Sequence, residues 1–174
     1  MRKIKLFIAS SLDCFIARKD GGIDWLFTDA DYGFSRFYDS VDTILVGRKT
    51  YDQSLTFDEY PYRGKMVYVF THKASGTADN GKDVKYVEGN IPDFVTSLIK
   101  SEGKDIWLLG GGEIVSILLN AELVDEIILS IHPIILGEGI PLLPKVKKQV
   151  NLKLENSISF ESGLTQLSYK VLKG

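Results

Sequence analysis

The chain has 174 residues, 44% of them hydrophobic, enough for one well-buried core and short for two. A formal charge of −2 supplies no basic field, so polyanionic partners such as nucleic acid are disfavoured. Cys14 is the only cysteine, which excludes an internal disulfide and any cysteine-based metal site within one chain, and fits a reducing cytoplasm.

The N-terminus, Met1 to Ala9, is basic and then apolar, but Ser10, Ser11 and Asp13 cut the run short of a signal peptide. No later run could span a bilayer, so the expectation is a soluble, unexported, cytoplasmic protein with no membrane partner. Lys3 to Ser10 reads as a first, central strand because Ile4, Leu6, Phe7 and Ile8 are β-formers. Leu12 to Ala17 runs on into Arg18-Lys19-Asp20-Gly21-Gly22, whose charge and paired glycines mark a mobile loop able to cover a site. Trp25-Leu26-Phe27 restores apolar surface, and Thr28, Asp29 or Asp31 can cap a helix carrying Phe34, Phe37 and Tyr38 on one face.

Thr43 to Gly47 is a second buried strand, and Arg48-Lys49-Thr50-Tyr51 opens the next element directly beyond its end. Gln53 to Gly64 has no sustained periodicity and reads as an irregular connection. Met66 to Phe70 is a third strand, ending in Thr71-His72-Lys73; Asp79 to Asp83 is turn-like. Val84 to Val87 is a short strand before a helix that starts near Asn90 or Pro92 and stops at Gly103.

Ile106 to Leu119 combines a buried strand, a glycine hinge at Gly110-Gly111-Gly112, and a helix with Ile114, Ile117, Leu118 and Ala121 at i, i+3, i+4 and i+7. The hinge has two readings: a tight turn, or an anion site where bare peptide and the first helical N–H groups receive a phosphate. Ile127 to Ile131 is a further strand, and His132 to Pro141 a loop shaped by two glycines and two prolines. Leu152, Leu154, Ile158 and Phe160 are expected to face one way, with Glu161-Ser162-Gly163 turning into a return strand through Leu167, Tyr169 and Val171. The order implies one α/β domain over residues 1–174: a mainly parallel three-layer α/β/α sheet closed by an antiparallel C-terminal hairpin.

Three segments that follow strand ends share a chemistry: Gly47 to Thr50, Thr71 to Lys73, and Gly110 to Gly112. Ligands gather at the carboxyl ends of the strands in such sheets, so these segments can converge on one phosphorylated ligand. Taken singly, Arg48, Lys49 and Lys73 are ordinary solvated charges.

Ile8 to Ala17, Val46-Gly47-Arg48-Lys49-Thr50-Tyr51, Leu109-Gly110-Gly111-Gly112-Glu113, Val124-Asp125-Glu126, His132-Pro133 and Leu136-Gly137-Glu138-Gly139 together resemble the dihydrofolate reductase superfamily. They are closest to its bacterial branch that includes the reductase domain of riboflavin biosynthesis. The resemblance implies an NADPH-dependent reductase acting on a pterin or ribosylaminopyrimidine-like heterocycle, with a non-catalytic NADP(H)-binding protein of the same fold as the alternative. It places Ala9 and Ile16 against the nicotinamide carboxamide, Leu12 to Ile23 as the loop over that ring, and Arg48 and Thr50 on the cofactor phosphates. Gly47 and Lys49 belong to the same motif, while Thr71, His72 and Lys73 fall where the adenosine 2′-phosphate is read. Gly110 and Gly111 match a pair the family joins by a cis peptide, with Gly112, Glu113 and Ile114 following at the helix start.

Asp31 stands at about the family position of the acid that binds the pterin ring and favours protonation of the substrate nitrogen; helix capping suits it equally. Trp25 lines the same pocket or belongs to the core. His132, followed by Pro133, reads as structural, and Cys14 stands where the family commonly has glycine. The deaminase zinc motif is absent, leaving only the reductase half of riboflavin chemistry. The Val124 to Gly139 segment suggests, through the family, a homodimer near the sheet edge.

Overall fold

The computed structural model describes residues 1–72 and 83–174. Lys73, and the expected turn up to Lys82, lie outside the described residues. In chain order the elements are β1 (Ile4–Ser11), β2 (Phe15–Ala17), α1 (Phe34–Ser40), β3 (Val41–Gly47), α2 (Arg48–Ser54), β4 (Met66–Phe70) and β5 (Val84–Val87). They continue as α3 (Ile91–Leu98), β6 (Asp105–Gly110), α4 (Gly112–Asn120), β7 (Glu126–His132), β8 (Ile140–Pro141), β9 (Asn151–Ser159) and β10 (Thr165–Leu172).

The main sheet has the order β5-β4-β3-β6-β1-β7-β10-β9. Its first six strands are parallel, while β10 runs antiparallel to both β7 and β9. The architecture is the one the alternation of strands and helices implies. β3 and β6 read as nearly continuous apolar runs because they lie inside the sheet under helices on both faces. Val95 of α3 and Ile114, Val115, Leu118 and Leu119 of α4 pack with Ile4, Leu6, Leu45, Ile106 and Leu108 on one face. Phe37 of α1 and Tyr51 of α2 pack with Ile44, Val46, Val67 and Trp107 on the other. α3 begins where its residues dictate: the Asn90 side chain accepts the Asp93 N–H at 3.2 Å, Pro occupies the first turn, and Asp93 complements the helix dipole.

One expectation about the hairpin is corrected. Tyr169 pairs with Leu154 but Ser168 pairs with Asn156, so Glu155 is an extra residue that bulges β9. The bulge inverts the alternation: Leu152 and Leu154 share the face of Val171 and Tyr169, while Ile158 lies with Gln166 on the other. Every residue of β9 is exposed, Leu154 to 51%.

At the other end of the sheet, a buried arginine ties three elements together. Arg2 donates to Lys104 O (2.5 Å), Ser101 Oγ (3.3 Å) and Thr43 Oγ1 (2.6 Å), and pairs with Asp42.

Candidate active site

The carboxyl ends of β1, β3, β4, β6 and β7 lie side by side, and the hinge between β6 and α4 stands among them. Gly110 and Gly111 are joined by a cis peptide bond, and Gly110 takes φ +119°, a conformation that glycine alone adopts freely. Gly47, at the end of β3, lies against this hinge. A Cβ placed on it would lie 3.3 Å from Ile114 Cγ1, 3.7 Å from Gly111 N and 3.8 Å from Gly110 O. A Cβ on Gly111 would lie 3.2 Å from Thr50 Oγ1. Gly47, Thr50, Gly110, Gly111 and Ile114, expected together from two separate motifs, therefore meet in space. The cradle is bare peptide with one hydroxyl beside it, and among the described residues no side chain caps α4 at Gly111, which leaves its first N–H groups to an acceptor from outside the helix. These features suit a pyrophosphate.

The flanking charges are ordered around this cradle. Arg48 is half-buried, its Nε held by Asp52 at 2.7 and 2.9 Å, and its guanidinium lies 5.1 Å from the centre of the Tyr86 ring of β5. Lys49 is exposed. Gly47 pairs in register with Phe70, so Thr71 and the exposed His72 follow on the adjacent strand end. Glu113 is exposed at the start of α4, and its hydrogen bond with Lys145 holds its carboxyl below the usual range, with Lys49 and His72 adding to the effect.

Ala9 and Ile16 are half-buried at the end of β1 and in β2. The loop between them is fastened at several points. Asp13 accepts the N–H groups of Leu136 (3.1 Å) and Gly137 (2.7 Å), and Leu12 N donates to Ile134 O at 2.8 Å. β2 pairs with β8, and Gln53 Nε2 of α2 donates to Gly21 O at 2.7 Å. Cys14 is exposed at φ +65°, which explains why glycine would suit this position.

Asp31 is exposed and accepts from Ser35 N (3.0 Å) and Ser35 Oγ (2.5 Å) in the first turn of α1, whose N-cap position is Gly33. The Ser35 hydroxyl, then its amide, lowers the carboxyl's pKa, so Asp31 is ionised at neutral pH. Trp25 is buried, and its Nε1 has no hydrogen-bond partner among the described residues. Its ring meets His132 edge-on at 5.2 Å.

His132 is buried and accepts the Phe27 N–H on Nε2 at 3.1 Å, anchoring the segment between the loop and α1. Burial pushes its pKa down, and protonation would turn the acceptor into a donor. Its folded pKa lies below the unfolded value of about 6.5, so its contribution to stability is complete above that pH and is lost as pH falls through the depressed value. Thermal stability is expected to decline below about pH 6.5, with a shallower decline in His132→Asn. Identical pH profiles would exclude His132 as the cause.

Several residues beside the site carry no sequence signal of their role. The buried Gln166 donates from Nε2 to Ser130 Oγ and Tyr32 O, both at 3.1 Å, joining β10, β7 and the approach to α1. A strap over residues 141–148 meets the start of α4 at Gly112 and runs along the helix to its end, where Lys145 N donates to Ser116 Oγ (3.2 Å) and Asn120 Nδ2 donates to Lys145 O (2.9 Å). Phe34 is 38% exposed, with Phe7 edge-on at 5.8 Å, forming an aromatic wall beside Ala9. By contrast, a hollow of about 550 Å³ opens at the opposite end of the sheet, where Lys3 pairs with Glu126 and Lys173 with Asp125.

The RibD C-terminal domain family matches residues 2–166. The uncharacterized protein YyaP of Bacillus subtilis (strain 168) is 41% identical over 180 residues, covering 97% of this chain and 94% of that one. Among solved structures, a putative riboflavin biosynthesis protein from Shewanella sp. PV-4 is 30% identical at a TM-score of 0.87, covering 98% of this chain and 99% of its own. A Thermotoga maritima diaminohydroxyphosphoribosylaminopyrimidine deaminase/5-amino-6-(5-phosphoribosylamino)uracil reductase shares the fold at 16% identity and a TM-score of 0.75, over 98% of this chain and 57% of that one. Dihydrofolate reductase from Enterococcus faecalis, solved with NADP(H), shares it at 16% identity and a TM-score of 0.74, over 98% and 97%.

Proposed function

Because the chain belongs to the RibD C-terminal domain family, we propose that it is a single-domain, NADPH-dependent reductase of a pterin or ribosylaminopyrimidine-like heterocycle. The observation that carries the reading is the meeting of Gly47, Thr50, Gly110, Gly111 and Ile114 in one cradle. NADPH supplies a hydride to a C=N or C=O carbon of the substrate, whose nitrogen or oxygen takes up a proton. The chain's own part is to bind, orient and exclude water. Gly47 and the hinge through Gly112 and Glu113 form the pyrophosphate wall with Thr50. Arg48, Lys49, Thr71, His72 and Lys73 supply the phosphate partners, and the backbones of Ala9 and Ile16 hold the carboxamide. Trp25, Phe34 and Ala9 frame the substrate ring, and ionised Asp31 favours protonation of a ring nitrogen near it.

Titration of NADPH into the purified chain is expected to give a saturable fluorescence change; a flat titration overturns the reading. Arg48 lies over Tyr86, on the side of Thr71 and His72. Arg48→Ala is therefore expected to weaken NADPH by about tenfold or more, the worth of a charge-assisted hydrogen bond, and NADH much less. Equal losses for the two cofactors would remove Arg48 from the 2′-phosphate.

We place the protein in the cytoplasm as a homodimer. Among the described residues no helix is long and apolar enough to cross a membrane. β10 covers the edge of β7, so the sheet edge on that side belongs to β9, where Leu152 and Leu154 are 41% and 51% exposed. Sedimentation is expected to show a dimer that Leu154→Glu dissociates; a wild-type monomer at working concentrations contradicts it.

A further inference from the structure

Resting on the reading of this site as a reductase pocket, we propose that its substrate is an unphosphorylated heterocycle, neutral or protonated on the ring, and not a sugar-phosphate adduct. The observation is a division of charge across the glycine hinge. At the ends of β3 and β4 stand Arg48, Lys49 and His72. On the side of β1 and β7 acids predominate: Asp29 and Asp31 before α1 and Glu161 in the hairpin turn, with Glu138 after β7 paired to Lys19.

Cations are scarce in those segments. Residues 21–38 hold Arg36 alone, residues 126–141 hold only His132, and residues 160–166 hold none. Arg36 is exposed, and it stands about 200° round the helix from Phe34, away from the face that packs on the sheet. From the covering loop, Arg18 is engaged by Asp24 at 2.7 and 2.9 Å and Lys19 by Glu138 at 2.5 Å. His132 accepts an N–H and stays neutral. A phosphate dianion brought here would meet like charge and, with Arg36 turned away and Arg18 engaged by Asp24, find no other guanidinium fork among the described residues of these segments.

The groups available to a ring edge are uncharged. The Gln166 amide donates to Tyr32 and Ser130 and leaves its carbonyl oxygen, which borders Gly33, as an acceptor. Trp25 Nε1, in a residue 7% exposed, is a buried donor without a partner among the described residues. Phe34 and Phe7 provide an apolar wall for a flat ring. The Thermotoga maritima reductase carries a phosphoribosyl substrate in its name; the rim described here selects against that group.

The test compares two ligand pairs on the NADPH-loaded full chain by calorimetry: 5-amino-6-(5-phosphoribosylamino)uracil with its phosphatase product, and 7,8-dihydroneopterin 3′-phosphate with 7,8-dihydroneopterin. The unphosphorylated member is expected to bind about tenfold tighter or more at low salt, the gap narrowing as salt rises. Asp29→Asn keeps an acceptor for the Tyr32 hydroxyl and removes one charge; it should close the gap by about twofold to threefold. A phosphorylated member that binds as well as or better than its partner, or a gap unmoved by salt and by Asp29→Asn, overturns the proposal. NADPH binding alone, titrated in parallel, separates the outcomes: its loss sinks the reductase reading, whereas its presence with a preference for phosphate sinks only the substrate class.

Discussion

Gly112→Ala is expected to destroy NADPH binding and to lower the melting temperature by several degrees. A Cβ on Gly112 would lie 2.5 Å from Pro141 O, 2.8 Å from Pro144 Cδ and 2.9 Å from Leu142 O. None of these is the yielding end of a flexible side chain. The strap that carries them is itself held, by Leu142 N on Cys14 O (3.0 Å) and by Lys145 N on Ser116 Oγ (3.2 Å). Relief therefore requires α4 or the strap to move. Overpacking of this kind costs about 1–3 kcal/mol, or roughly 2–4 °C for each kcal/mol in a chain of this size. The shift falls on the helix start proposed as the pyrophosphate wall, where an error of about 1 Å is worth about a hundredfold in function. Gly111→Ala separates the two effects. Its Cβ meets only Thr50 Oγ1, at 3.2 Å, so stability should change little while NADPH affinity falls. Wild-type affinity in Gly111→Ala would show that the hinge does not face the cofactor.

The contrast between these glycines also shows what the sequence could and could not convey. The hinge was legible because strand, glycine triplet and helix are consecutive, each with a local pattern. For the same reason β4 and β5 have the bounds their β-branched and aromatic runs suggest. The strap was not legible. Pro133 and Pro141 announce a shaped loop, but nothing local says that the strap beyond it lands on Gly112, 29 residues before Pro141. The Glu155 bulge escaped too, because an inserted residue leaves the apolar pattern of β9 intact while reversing the face beyond it. Gln166 and Ser130 look like ordinary polar positions of alternating strands, and only the pairing of β7 with β10 makes them neighbours. The glycine cradle was thus readable from contiguous motifs. The surface assembled from β1, α1, β7 and the hairpin was not.

Arg2 is the sharpest case, since next to Lys3 and Lys5 it reads as a solvated charge, yet its side chain is 6% exposed. Asp42 is expected to be among the most costly polar residues to remove. Its carboxylate pairs with Arg2 and accepts from Thr43 Oγ1 (2.8 Å) and Lys104 N (2.8 Å), tying β3 to β1 and to the approach to β6. Asp42→Ala leaves a guanidinium buried without its counter-charge, for which about 3–5 kcal/mol is usual. Because the Asp42 side chain is 39% exposed, water recovers part of this, and about 2–4 kcal/mol is expected by urea denaturation. The Arg2→Met/Asp42→Ala double variant should be more stable than Asp42→Ala alone, since it removes the orphaned charge. A loss below about 1 kcal/mol would mean that the pair is no stronger than a surface one. The network sits at the start of β1, some eight residues from the site end, roughly 26 Å at the rise of an extended strand. Folded Asp42→Ala should therefore keep its NADPH affinity, so stability falls while the cofactor constant holds. A change in that constant of more than about threefold, or about 0.6 kcal/mol, would show instead that the register of β1 against β3 reaches from this network to Ala9 and Gly47.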